Sequence, residues 1–529
     1  MKRKIGFWEV YSIGVGGMIG GGIFATLGLS LELAGGAAPV AFIFAGIIAL
    51  LTSYSYAKLS ARFPSIGGTI EFLVRAYGDN VFSGGLNIML LASYIVMIAL
   101  YAYAFGAYGA SMLSSFYREA YIVLVVFAIG SLVLVNFLGA VVSGRVELAL
   151  VVFKLSVLLF ITAIGFGQVD WDRLSPNQWP SLFSIIAGGM IIFLAYEGFE
   201  LIANTAGDVD NTTILRRAFY SSVSTVIAIY TLIALVSAGA LTPEIVREAR
   251  DYALAMLAKP VLGEVGITLV VAAALASTSS AINATLYGTA RMSYLIAKYG
   301  EAPQLLARRV WKGAYEGLLV IGVLSLILAL GASLEEISAA GSGGFLIIFT
   351  SINIAAYRLR KTIGANASLT ISGALLSAMA LLILIWKMYM VNPSQLTVLA
   401  IIALGSITIE YIYRRATGRK LPETIDPRLR DREAILSRWE EIAGKTAMVI
   451  KRLLREVEVH IIGSHARREP HKADDIDILI VTPEPISKED RKRLERIIEE
   501  ELSLPPNHPI HIHTTIKKRV ERYKERRPL

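Results

Sequence analysis

No cysteine occurs among the 529 residues, which excludes a disulfide framework, a thiolate metal site and a cysteine nucleophile. Charge is scarce over most of the chain as well. Residues 1–413 hold 45 Asp, Glu, Lys and Arg, whereas the last 116 residues hold 48. Apolar side chains fill the first stretch: 55% of the chain is hydrophobic and the mean hydropathy is +0.58. Such a chain cannot face water on every side, so a soluble enzyme, a disordered polypeptide and an ordinary nucleic-acid binder are excluded. The net charge of +9 divides as +3 and +6 across a seam near residue 413. One side of that seam is built for lipid and the other for water.

The N-terminal MKRK is basic, as in a signal peptide, but no A-x-A-like cleavage site ends the apolar run behind it. It reads as the cytoplasmic flank of a retained span. A span needs roughly 20 mostly apolar residues to cross about 30 Å of hydrocarbon. Twelve such runs are found, from residues 8–33 to residues 394–413. With the N-terminus inside, segments between spans place 17 Lys and Arg on the cytoplasmic face and 6 outside. That asymmetry, with the even count, puts both termini in the cytoplasm of a multi-pass cell-membrane protein.

Two of the runs are broken in matching positions. The first contains GVGGMIGGGIF, Gly14 to Phe24, with six glycines in eleven residues, and the sixth contains FLAYEGFE, Phe193 to Glu200. Glycine weakens a helix by roughly 1 kcal/mol relative to alanine, so the first run is expected to unwind. An unwound backbone is tolerated in a membrane only where it lines a cavity or a ligand. Spans 1 and 6 open two consecutive five-span sets, and interrupted helices at corresponding positions point to a midplane transport site. The amides of Gly20, Gly21 and Gly22 would face an anion and the freed carbonyls a cation, which suits a zwitterion such as an amino acid. The competing reading, close helix packing through small residues, explains span 1 alone but not the pair.

GGMIGGGIF, AYEGFELIA and the span-8 stretch STSSAINATLYGTARMSYLIAKYGEAP resemble the amino acid–polyamine–organocation (APC) superfamily of permeases over most of residues 5–413. The resemblance implies a mainly α, polytopic membrane fold with 12 transmembrane helices, a 5+5 inverted repeat plus two, working by alternating access. Carried over by motif, the substrate carboxylate meets the amides of Gly21 and Gly22, and the amine meets carbonyls near Met18, Leu194 and Glu197. Tyr196 and Phe199 are candidates for covering the site. The stretch AGDVDNTT, Ala206 to Thr213, departs from the acidic pair and Asn-Pro that the family often carries there.

Lys154 lies within span 5, ten residues beyond Gly144 and therefore about 15 Å along the helix. An intramembrane cation is a functional candidate by default, and snorkelling is hardest at that depth. Some sodium-independent APC members place a span-5 lysine where sodium-coupled relatives bind an ion. The resemblance therefore implies an ammonium bonded to span-1 carbonyls and to span-8 hydroxyls such as Ser277 or Ser280. A proton-coupled or exchanging amino-acid transporter, independent of sodium, is the expected function. Within span 6, Glu200 matches a recurrent acid of the motif and Glu197 occupies a variable position.

The charged tail divides into a linker and amphipathic helix over 414–455 and a small cytoplasmic α+β domain over 456–529. Strands are expected at Val457–Ile462, Ile476–Thr482 and 509–515, with a helix near 487–502. The segment IIGSHARREPHKADDIDILIV resembles the minimal nucleotidyltransferases: Gly463 and Ser464 precede ten residues and then Asp475-Ile-Asp477. Strand alternation sets both aspartates on one face, suited to Mg²⁺ and nucleotide phosphates, and the Gly-Ser turn offers amides to a phosphate. Arg468 replaces the usual glycine of that motif. The strand expected to supply a third carboxylate reads PIHIHTT and offers His511 and His513 instead. A nucleotide-binding regulatory domain is therefore favoured over a membrane-tethered nucleotidyltransferase, and a transporter-like amino-acid receptor is the remaining alternative. The partners expected are an amino acid, the lipid bilayer and a nucleotide, with no nucleic acid. Transport itself calls for no cofactor.

Overall fold

The computed structural model describes the chain apart from residues 1–4, 66, 114–115, 138–143, 210, 299–308, 312–313, 418–434, 437, 455–456, 464, 467–474, 503, 505–507 and 523–524. The first apolar run forms two helices, α1 (Phe7–Met18) and α2 (Gly22–Ala34). Then come α3 (Ala38–Arg62), α4 (Thr69–Tyr77), α5 (Val81–Ser111), α6 (Tyr117–Phe137) and α7 (Gly144–Gly165). Helix α8 (Leu182–Ile191) gives way to 3-10 turns at Phe193–Tyr196 and Phe199–Asp208, with a bend of 50°. Next are α9 (Thr212–Ala240), α10 (Pro243–Glu248) and α11 (Ala253–Lys298), which breaks at Gly263 with φ of 56°. A hairpin of β1 (Arg309–Trp311) and β2 (Ala314–Tyr315) leads to α12 (Glu316–Gly331) and α13 (Leu334–Arg358). The apolar part closes with α14 (Arg360–Ile363), α15 (Ala367–Val391) and α16 (Pro393–Thr417).

Among the described residues nine helices are long and apolar enough to cross a membrane, or ten if the bent pair at α8 is one span. The lower figure than twelve has a geometric origin. Helix α1 has only 12 residues and α12 only 16, while the path Gly22–Arg62 runs almost continuously through two expected spans. The outward faces suit lipid: Val123 and Phe127 on α6, Ile327 on α12, and Ile401 and Leu404 on α16 are all exposed. Helices apolar on the inside and the outside alike have no stable arrangement in water, so this is a multi-pass membrane protein.

Helix α5 runs through the middle, packing on α6, α11, α12, α13 and α16, and α3 packs along α9. Its start is fixed by the Asn80 carboxamide, which accepts from the amides of Phe82 at 2.9 Å and Ser83 at 3.1 Å. Arg414 near the end of α16 donates to buried Glu410 at 3.0 Å and to Asp79, tying the last helix to the entrance of α5. A second buried polar tie joins α3 to α13. Asn353 accepts from Ser55 Oγ at 2.6 Å and donates to Thr52 Oγ1 at 3.0 Å, with all three side chains fully buried.

The tail has its own core. Helix α17 (Trp439–Leu453) and α18 (Lys488–Glu501) pack on a sheet of β3 (Glu458–Ile462), β4 (Ile476–Thr482), β5 (Ile510–Ile516) and β6 (Arg526–Pro528). The strand order is β5-β4-β3-β6, with β4 and β5 parallel and the other pairs antiparallel. Strand β4 is buried at Ile476 and from Ile478 to Thr482, as a central strand covered on both faces should be. The expected strands and second helix fall within a residue or so of the observed ones, and β6 is an addition.

The Asn353 tie generates a stability prediction. Asn353→Ala strands two buried hydroxyls and should cost roughly 1–3 kcal/mol. Thr52→Val removes one acceptor and should cost less. Thermal unfolding of detergent-purified protein, followed by monodispersity, orders the two variants.

Candidate functional site

The two breaks lie against one another, and glycine is what permits it. Gly198 has φ of 114°, and a Cβ built there would stand 2.3 Å from the carbonyl carbon of Gly17. At Gly22 an added Cβ would lie 2.6 Å from Cα of Ala195. Residues 195–198 therefore run along residues 17–22 with backbone touching backbone, at a spacing no side chain allows.

Unwinding frees carbonyls, and distant helices cap them. Lys154 Nζ on α7 donates to Gly16 O at 3.0 Å and is 1% exposed. Tyr230 on α9 donates to Met18 O at 2.7 Å and to Ala195 O at 3.1 Å, joining the two breaks through one hydroxyl. Ser277 on α11 donates to Ile19 O at 3.0 Å and also to Gly20 O. The Tyr101 hydroxyl on α5 lies 3.5 Å from Gly17 O. In span 6, Ser338 and Ser342 of α13 donate to Ile191 O, and Ser342 accepts from the Leu194 amide at 3.0 Å. Ser280 is buried on the same helix as Ser277.

The expected site residues thus gather in one place, with two refinements. Met18 and Leu194 are present, but the Met18 carbonyl already holds Tyr230 and the Leu194 carbonyl accepts the Glu197 amide at 3.3 Å. Tyr196 is fully buried with its hydroxyl on Phe42 O at 2.8 Å and its ring against Phe42 and Tyr230, so it braces α3. The amides of Gly20, Gly21 and Gly22 meet no acceptor among the described residues, and all three glycines are buried. Tyr230, Tyr101, Ser338 and Ser342 escaped the sequence reading. Hydroxyls scattered on apolar helices carry no local signal that marks them as caps.

Two further close approaches flank the breaks. At Gly28 on α2 an added Cβ would lie 2.0 Å from Arg250 O, and Arg250 also pairs with Glu32 at 3.5 Å. At the other end Ile5 and Val209 form a parallel bridge, bringing the start of α1 to the end of the span-6 turns.

In the tail, Gly463 has φ of 72° and an added Cβ would stand 2.9 Å from Asp477 Oδ2, so the turn needs glycine. Ser464 and Arg468 lie outside the described residues. Asp477 Oδ1 is 2.9 Å from His513 Nε2, and Asp475 Oδ1 is 3.3 Å from His511 Nε2. Both imidazoles come from β5, where Asp477 stands in register with His511. Each aspartate is thus engaged by an imidazole of the very strand expected to bring a third carboxylate. Among the described residues no three His, Asp or Glu side chains converge as a metal site. This donor set does not fit two-metal phosphoryl transfer, which relies on carboxylate oxygens around hard cations. Nearby His465 is buried with its ring 4.5 Å from Trp439, and burial pushes its pKa below the ordinary value.

Facing breaks in two apolar spans, at the centre of a helical bundle, define a membrane transporter. A family model described as amino acid permease matches residues 5–411, and the chain belongs to that family, within the APC superfamily the motifs pointed to. Residues 445–528 match the nucleotidyltransferase domain model. An uncharacterised protein of Methanocaldococcus jannaschii is 34% identical, covering 79% of this chain and 97% of its own. The inner membrane transport protein YbaT of Escherichia coli is also 34% identical, covering 73% of this chain and 91% of its own. Among solved structures, a manganese transporter of Eremococcus coleocola aligns with a TM-score of 0.53 at 15% identity, covering 78% of this chain and 95% of its own. That last likeness shows the fold alone.

The Gly17–Gly198 contact generates its own prediction. Gly198→Ala combines positive-φ strain with a backbone clash and should cost about 2 kcal/mol or more. Gly130→Ala, whose Cβ meets nothing within 4 Å, is the matched control. Thermal midpoints of the two purified variants make the comparison, and near-equal values refute a backbone-to-backbone seam.

Proposed function

We propose that this protein carries amino acids across the cell membrane by alternating access, independently of sodium, with proton coupling or exchange. The fold in this reading has twelve spans as a 5+5 inverted repeat plus two, and both termini lie in the cytoplasm. One observation carries the coupling assignment: the Lys154 ammonium sits on the Gly16 carbonyl, beside Ser277 on the Ile19 and Gly20 carbonyls. A fixed cation there serves the electrostatic role that a bound Na⁺ would serve at freed carbonyls. Three amides at the start of α2, which meet no acceptor among the described residues, supply the anion site, to which the helix dipole adds. The amides suit the carboxylate of an amino acid. The name of the Escherichia coli relative, an inner membrane transport protein, accords with this reading.

Lysine links coupling to conformation through its proton. A cycle that separates Lys154 from Gly16 releases a proton on one side and recaptures it on the other.

Uptake into proteoliposomes of the full chain tests the assignment. Labelled amino acids should accumulate under an inward proton gradient, or exchange against internal amino acid, with no response to a sodium gradient. Lys154→Ala should lose at least about tenfold in driven uptake while keeping its elution profile on size exclusion. A strict sodium requirement refutes the scheme.

For the tail, the reading is a nucleotide-responsive regulatory domain without transferase activity. The Gly463 turn beside Asp477 supports binding, and the imidazoles on both aspartates speak against catalysis. Nucleotides should raise the thermal midpoint of the full chain and leave that of residues 1–413 unchanged. Incorporation of labelled nucleotide into protein or RNA by the full chain is the result that contradicts it.

A further inference from the structure

Two carboxylates enter the span-6 break, and their surroundings differ. Glu200 is satisfied: its Oε2 accepts the Gly198 amide at 2.8 Å and its Oε1 accepts the Tyr94 hydroxyl at 3.0 Å. Glu197 is fully buried, and neither of its carboxylate oxygens has a hydrogen-bond partner among the described residues. An isolated buried carboxylate is strongly unfavourable, so a site built this way is completed by a cation or a proton.

Its position selects between them. Glu197 lies between Ala195, which abuts Gly22, and Gly198, which abuts Gly17, so it sits where the two breaks cross. Across that crossing the amides of Gly20, Gly21 and Gly22 wait for an anion. The carbonyls that would otherwise receive an ammonium are already capped, at Gly16 by Lys154, at Met18 by Tyr230, and at Ile19 and Gly20 by Ser277. Glu197, with both carboxylate oxygens open among the described residues, is the strongest acceptor remaining for a positive group. Charge points the same way. Among the described residues the buried Lys, Arg, Asp and Glu of spans 1, 5 and 6 are Lys154, Glu197 and Glu200, which leaves one negative charge when all are ionised.

We propose that Glu197 receives a cationic group of the cargo, and that the preferred substrates are amino acids of net positive charge. The inference rests on the amino-acid permease reading and sharpens it. The carboxylate of such a substrate takes the glycine amides, and its ammonium or guanidinium takes Glu197. The resulting occupied site is electrically neutral, which a low-dielectric interior favours.

The test uses the full chain in proteoliposomes with labelled arginine and labelled leucine. Arginine should be the better substrate, displaced by lysine far more effectively than by leucine. Glu197→Gln should lower arginine uptake at least about tenfold, and should lower it more than leucine uptake. Glu197→Asp, keeping the charge on a shorter stem, should recover part of the arginine uptake. Should Glu197→Gln fail to fold, the wild-type thermal shift with arginine against leucine reads the same preference. The proposal is overturned if leucine is carried as well as arginine, or if Glu197→Gln leaves their ratio unchanged while abolishing the response to a pH gradient, which makes Glu197 a proton carrier. Uptake of neutral amino acids without cationic preference sinks this assignment alone. Uptake of no amino acid at all sinks the permease reading with it.

Discussion

Backbone polar groups inside a membrane have no water to turn to, and the apolar part of this protein is organised around that constraint. Nearly everywhere the helix satisfies it internally. At Ile19–Gly21 and around Glu197 the helix stops, and side chains from four other helices take over what it leaves. A lysine, two tyrosines and a serine converge on one short run of carbonyls, from α7, α9, α5 and α11. Among the described residues the amides on the other flank of the break have no such guardians. This asymmetry, carbonyls held and amides waiting, gives the centre of the molecule its polarity.

How much of this is legible in the sequence depends on whether the information is local. Six glycines in eleven residues announce a broken helix because propensity is a property of short stretches. A single lysine in an otherwise apolar span stands out for the same reason. The caps do not, since Tyr230 meets Met18 across 212 positions and Ser342 meets Leu194 across 148. No periodicity encodes such a meeting. Orientation is equally invisible: Tyr196, a natural candidate to cover a ligand, turns its hydroxyl to Phe42. The span count suffers from the reverse problem. Hydropathy sees the run through α2 and α3 as two spans, whereas length and apolarity alone see Gly22–Arg62 as one stretch.

The tail shows the same division. Alternation and apolar runs locate β3, β4 and β5 to within a residue, because buried strands carry a dense signal. Strand β6 reads Arg-Arg-Pro, fully exposed, and owes its existence to pairing with β3. The departure at His511 and His513 was legible as a missing carboxylate. Only the structure shows that each imidazole lies against one of the aspartates.

The meeting of Gly17 with Gly198 has a mechanical side. Packed helices ordinarily interlock through ridges of side chains, and sliding one past another requires each ridge to climb out of its groove. Where two bare backbones touch, there are no ridges to disengage. Such a seam offers little corrugation to a small rotation or translation, much as a smooth bearing does. By side-chain packing alone, that contact is the one between the interrupted helices least locked against sliding.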